Sequence, residues 1–278
     1  MSQTNDDSPR TIRPSHATTI TGRRAFLAMT LGAAPALPGA RVYGQEASAC
    51  VAPTVQPTPG RSLRVDRGPA ECNRVALTFD AGSDRGYAEL ILDILRENKI
   101  HAGFGMTGTW ATDNPDVIRR IGDEGHEFIN HTWDHPSFTG TSFRTTALGP
   151  TERRDQLERT DDLIRALSGK TSRPFFRPPF GDLNDGVLKD VADAGYDYTI
   201  MWTVDSFGWN KLPAAGIVER CLSRAEPGAI YIFHVGSASE DALALGPILD
   251  GLRARGLGFA TVSELLGLTK PAPPGAAP

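Results

Sequence analysis

In His131-Thr132-Trp133-Asp134-His135 two imidazoles stand four residues apart, a spacing that brings them to one side of a helical turn or tight loop. An ion of the zinc type takes such nitrogen ligands together with an oxygen ligand and keeps a position open for water. Taken alone the pair is weak, because two neighbouring histidines occur by chance in many chains. A carboxylate on a neighbouring loop strengthens it, and Asp80 ends the apolar run 75–79. Arg177, Asp205 and His234 close or follow further apolar runs in the same way. Each has an ordinary explanation: Asp80 as a helix cap, the paired histidines as surface polar residues, His234 as a hydrogen-bonded core residue. Six polar side chains at strand ends are harder to explain so, since parallel α/β folds gather their functional loops at the carboxyl rim.

Those residues need a scaffold that presents strand ends side by side. Short apolar runs at 75–79, 102–106, 127–130, 174–177, 198–203, 229–233 and 258–261 read as strands, and helix-period stretches lie between them at 87–97, 115–123, 152–167, 186–194, 215–223 and 241–255. Seven strands separated by crossover helices imply an α/β fold on a parallel sheet, open or closed. No linker composition interrupts 71–268, which reads as one domain. The Pro-rich stretch 50–70 reads as a linker and the Pro- and Ala-rich end 269–278 as a disordered tail. His101 and His126 begin strands, at the wrong end for chemistry, and read as structural. Cys221, inside an expected helix, reads as a small core residue.

Five motifs occur in order: Thr78-Phe79-Asp80, then 131–135, then Arg177-Pro178-Pro179-Phe180-Gly181, then Asp205 through Trp209, then Ile232-Phe233-His234-Val235-Gly236. Over roughly 71–268 they resemble the polysaccharide deacetylases of the NodB-homology type, carbohydrate esterase family four. The resemblance implies a distorted (β/α)7-type barrel of parallel strands, in keeping with the seven strands counted from the pattern. It implies Asp80 as general base, His131 and His135 as ligands of a divalent metal, with Zn2+ the expected ion, and His234 as general acid. Arg177 would hold Asp80, and Asp205 would orient or tune His234. A metal that polarises an acetyl carbonyl and acidifies its water, a base for that water and an acid for the departing amine make a consistent hydrolysis. A backbone N–H near Phe180 would help hold the oxyanion. Phe180, where the family usually has Tyr, is expected at the substrate with Trp209 and Trp133. Phe138 is a further aromatic, and at least one of these rings is expected only to wall a loop.

Two positions depart from the family pattern. The first motif usually continues with a second Asp, the metal's carboxylate ligand, where this chain has Ala81. Asp84 is expected either to supply the missing oxygen or to cap the following helix, as Ser83 also can. A third arrangement has Asp80 binding the metal and water filling the remaining position. In the fourth motif Gly208 stands where an acid often precedes the Trp.

Upstream, Arg23-Arg24-Ala25-Phe26-Leu27 and a mild Ala/Gly-rich run to Leu37 resemble a twin-arginine export signal, too short for a stable membrane span. Residues 1–49 are expected to be that signal, cut after Ala47-Ser48-Ala49, with a second option at Val42-Tyr43-Gly44 and lipidation of Cys50 a minor alternative. The protein is then periplasmic or extracellular, where Cys50 and Cys72 are expected to pair. The 278 residues carry 29 Lys and Arg against 33 Asp and Glu, a charge of −4, and 24 against 30, or −6, without residues 1–49. That balance excludes binding of nucleic acid by bulk charge. The expected partner is an acetylated amino-sugar polysaccharide, peptidoglycan or a chitin-like chain, from which N-acetyl groups are hydrolysed. An O-acetyl esterase acting on a polysaccharide such as xylan and a non-catalytic carbohydrate-binding barrel are the rival readings; the sequence does not specify an oligomeric state.

Overall fold

The computed structural model describes residues 56–71 and 73–268. The chain divides into units Met1–Gly44 and Gln45–Pro278, and the described residues belong to the second. The export segment, Cys50, Cys72 and the tail 269–278 lie outside the described residues. In chain order the elements are β1 (Leu63–Val65), β2 (Arg74–Ala81), α1 (Ala88–Glu97), β3 (Gly103–Met106), α2 (Gly108–Asp113), α3 (Pro115–Asp123), β4 (Glu127–Asn130), α4 (Pro150–Ser168), β5 (Phe175–Phe176), α5 (Asp185–Asp193), β6 (Tyr198–Ile200), β7 (Val204–Asp205), α6 (Ala214–Ser223), β8 (Ile230–His234), α7 (Asp241–Ala254), β9 (Gly258–Ala260) and α8 (Val262–Leu265). Among the described residues no helix is long and apolar enough to cross a membrane.

The strands pair in parallel in the order β1-β6-β5-β4-β3-β2-β8-β7, with β9 also on β2. Beyond β1 the chain reaches the start of β8, where Arg67 bridges Ala229, and Thr203 N donates to Ile230 O at 2.8 Å. These links draw the two ends of the sheet together into an incomplete, distorted (β/α)7-type barrel. Two expectations are corrected. The stretch 50–70 is not linker throughout, because 63–65 form β1 on β6; three residues are too few to show a strand period. The expected strand 198–203 is two strands, because Met201 N donates to Val65 O while Thr203 N donates to Ile230 O, so the run changes partners midway.

Strand alternation decides which side chains meet. On β2, Val75, Leu77, Phe79 and Ala81 face the helix layer, while Ala76 faces the interior with Ile129, Phe175, Ile200 and Ile230. Phe79 stacks between Phe104 and Phe233, each ring centroid 5.3 Å away. Truncating such a ring costs about 3–5 kcal/mol. The same alternation turns Thr78 and Asp80 inward. Helix ends follow local rules: α4 starts with Pro150, its Glu152 accepts from Gly149 N at 2.7 Å, and it stops at Gly169 with φ 69°.

Candidate active site

Parallel pairing places Asp80 of β2 opposite Gly105 of β3 and His234 of β8. Gly105 is required here, because a Cβ at that position would lie 2.3 Å from Asp80 Oδ1. Arg177, just past β5, is fully buried. Its guanidinium donates to Asp80 Oδ1 at 2.7 Å, Thr78 Oγ1 at 2.9 Å and Ile200 O at 3.0 Å. Burial alone would push the Asp80 carboxyl up, but the Arg177 guanidinium, aided by the nearby imidazoles, outweighs it and holds Asp80 below its ordinary value. Asp80 is therefore an ionised carboxylate with Oδ1 held by Arg177 and Oδ2 3.5 Å from His131 Nε2.

The segment 131–135 is a tight loop. Thr132 and His135 have φ of 70° and 64°, a region unfavourable for side chains beyond glycine and costly for a β-branched one. The loop is held by Thr132 N donating to Asn130 Oδ1 at 3.0 Å and His135 N donating to Thr132 Oγ1 at 3.1 Å. His131 Nδ1 lies 2.9 Å from the Arg177 carbonyl. A carbonyl only accepts, so Nδ1 carries the proton and Nε2 keeps its lone pair. The Nε2 atoms of His131 and His135 are 3.1 Å apart. Burial lowers His131 below its ordinary value, and burial with the adjacent His131 lowers His135 to about 3. Both rings are thus neutral, as metal ligands must be.

These groups line a cavity of about 540 Å³ shared with His234, Asp205, Phe180, Trp202 and Trp209. Among the described residues no group of three or more His, Cys, Asp or Glu side chains could hold a metal ion. The chain offers instead a pair of facing imidazoles with the Asp80 carboxylate beside it. That pair fits a divalent cation drawing its remaining ligands from water and substrate.

The family model described as polysaccharide deacetylase matches residues 67–199. The peptidoglycan-N-acetylmuramic acid deacetylase PdaA of Bacillus subtilis is 30% identical over 195 residues, covering 69% of this chain and 71% of that protein. The chain belongs to the polysaccharide deacetylase family. A peptidoglycan-N-acetylglucosamine deacetylase of Bacillus cereus is 30% identical over 206 residues, covering 73% of this chain and 72% of that protein. Among solved structures, a wild-type family-four carbohydrate esterase pseudoenzyme of Bacillus anthracis superposes with a TM-score of 0.67 at 31% identity, covering 75% of this chain and 69% of that one.

For this polysaccharide deacetylase family member, three placements correct the expectations. Asp84 is not at the imidazole pair. Its carboxylate is taken by the backbone N–H of Ser237, at 2.7 Å, and by the Ser237 hydroxyl, which hold it below its ordinary value. Asp205 lines the cavity, yet its carboxylate accepts from Phe207 N at 2.8 Å and Trp209 Nε1 at 3.2 Å, and the carboxylate beside His234 is Asp241. Trp133 packs over Gly108, where a Cβ would lie 2.1 Å from its ring, and under the Arg159 guanidinium at 4.1 Å, rather than on the cavity. Phe138 is buried against Phe176. Phe180 and Trp209 are at the rim, 43% and 54% exposed, and the Phe180 ring meets His135 edge to face. Sequence reasoning missed Trp202, whose ring lies over Arg177 with its centroid 5.8 Å away. It sits in mid-strand by pattern, and only the change of partner after Met201 turns it toward the cavity.

Proposed function

We propose that this chain is a metal-dependent N-deacetylase of an amino-sugar polymer, with peptidoglycan the leading substrate and zinc the leading metal. The observation carrying this reading is the convergence of an Arg177-held Asp80 carboxylate, two facing neutral imidazoles and His234 on one cavity. The names of the bacterial relatives support the substrate class. His131 and His135 would hold the cation, which when bound polarises the acetyl carbonyl and acidifies its water. Asp80 Oδ2, the oxygen left open by Arg177, takes the proton of the attacking water. His234 gives a proton to the sugar nitrogen as the C–N bond breaks. Phe180 and Trp209 offer apolar faces to sugar rings at the rim. Export to the cell wall through the signal at 1–49 belongs to the same proposal.

Acetate release from N-acetylated peptidoglycan and chitooligosaccharides, from acetylated xylan, and from each after chelation tests it. Release from the amino-sugar polymers that chelation abolishes and zinc restores is the expected result. Release from xylan alone overturns the choice of amide over ester. Sugar binding with no release from any polymer marks a non-catalytic barrel.

A further inference from the structure

His234 and Asp241 carry an unresolved polar arrangement that the mechanism above does not use. His234 Nδ1 and Asp241 Oδ1 are both buried without a hydrogen-bond partner. The pair is already close, Nδ1 lying 3.7 Å from Asp241 Oδ2. Buried polar atoms left unpaired are costly, and a proton on Nδ1 directed at the neighbouring Asp241 carboxylate satisfies the imidazole. The carboxylate is fully buried in the first turn of α7. It is held by the backbone N–H of His234 at 2.7 Å and the Ser206 hydroxyl at 3.1 Å, both on Oδ2. With Nδ1 buried, His234 meets the cavity with the opposite edge of its ring, although its side chain as a whole is 27% exposed.

Gly208 belongs to the same arrangement. A Cβ there would lie 2.1 Å from Ser239 Oγ and 2.5 Å from Asp241 Oδ1. Any side chain at 208 would enter the volume that the Asp241 carboxylate and the Ser239 hydroxyl occupy. The absence of an acid at 208 and the presence of a carboxylate at 241 are therefore one packing solution. Asp205, the residue expected to orient His234, is occupied by Phe207 and Trp209.

We infer that Asp241 is the positioning residue of His234: its carboxylate receives Nδ1–H, turning Nε2 to the substrate. This rests on the deacetylase reading for its consequence in turnover. In the acid step the Nε2 proton passes to the sugar nitrogen, which also receives the electron pair of the broken C–N bond. Nδ1–H stays hydrogen-bonded to Asp241 throughout, so the ring keeps its orientation while Nε2 gives up its proton.

The test is Asp241→Asn, which preserves shape and still accepts the His234 backbone N–H through its amide oxygen. In zinc-loaded full chain, kcat for acetate release is expected to fall at least about tenfold, with KM changing less than about twofold. In a His234→Ala background the same substitution is expected to change kcat by less than about twofold, since its effect passes through the imidazole. An equal fall in both backgrounds, or no fall in the first, overturns the inference. Imidazole ¹⁵N NMR supplies a readout independent of activity. Neutral His234 is expected to carry its proton on Nδ1 in the unmodified protein and to lose that preference in Asp241→Asn. A proton on Nε2 in the unmodified protein overturns the inference whether or not the variant folds. Absence of acetate release with the Nδ1 tautomer present removes the deacetylase reading and leaves the positioning pair standing.

Discussion

Two histidine pairs sit at opposite ends of one sheet, and burial treats them alike. At the amino end, just ahead of β3 and β4, His101 and His126 meet edge to face with ring centroids 6.0 Å apart. At the carboxyl end His131 and His135 meet similarly at 4.8 Å. Burial, followed by repulsion from His101, lowers His126 to about 4, much as burial lowers His135 to about 3. A depressed pKa therefore does not separate them. The direction of the nitrogens does. His126 Nδ1 accepts the Ala102 backbone N–H at 3.1 Å, joining the approaches to two strands, and its Nε2 lies 3.7 Å from a Glu124 carboxylate oxygen. His131 instead spends Nδ1 on a carbonyl and turns Nε2 to its neighbour at the cavity. Neutral imidazoles are common products of burial; two Nε2 atoms converging at 3.1 Å on a cavity are not.

Substitution separates the two ends most sharply where the nitrogens converge. His131→Ala is expected to lower kcat/KM by about 10³-fold or more and to strip zinc from the purified protein, read by elemental analysis, whereas His126→Gln keeps its zinc. Arg177→Ala, which leaves the Asp80 carboxylate buried without its partner, is expected to destabilise the fold by about 3–5 kcal/mol in denaturant titrations. At the amino end the cost appears with acid. The folded pKa of His126, about 4, lies below the ordinary 6.5, so its contribution is fully present above pH 6.5 and is lost as pH falls toward 4. That loss amounts to about 3 kcal/mol, and His126→Gln should flatten this part of the stability profile. Among the aromatics, Trp209→Ala is expected to raise KM for the polymer about three- to tenfold, while Trp133→Ala leaves KM unchanged. The smallest effect belongs to Asp84→Ala, with zinc content and turnover retained and less than about 1 kcal/mol of stability lost.

Much of the scaffold was legible because strands buried on both faces carry continuous apolar runs, as 75–79 and 229–233 do. β1 and β7 were not legible, since three and two residues carry no period. The short helix α2 was passed over for the same reason: six residues capped by Thr107 complete fewer than two turns. At the site, Asp80, His131, His135, Arg177, Asp205 and His234 were picked out as rare polar residues after apolar runs; register brings all but Arg177 to one cavity and buries Arg177 against Asp80. Asp84 and Trp133 were assigned by nearness in sequence to a motif, and the role of Asp205 toward His234 by resemblance. Each is engaged by another partner: Ser237 for Asp84, Gly108 with Arg159 for Trp133, and the Phe207–Trp209 turn for Asp205.

By itself the sequence determined which residues can do chemistry and which strand ends carry them, because strand period and residue type are local properties. The partners of those residues were decided only by the tertiary structure. Arg177 reaches Asp80 across 97 positions of chain. The Asp241 carboxylate returns to His234 because α7 begins beside β8, and Gly208 leaves it room. Hydrogen-bond geometry depends on distances of a few tenths of an ångström, which packing of the whole barrel sets and local sequence does not encode.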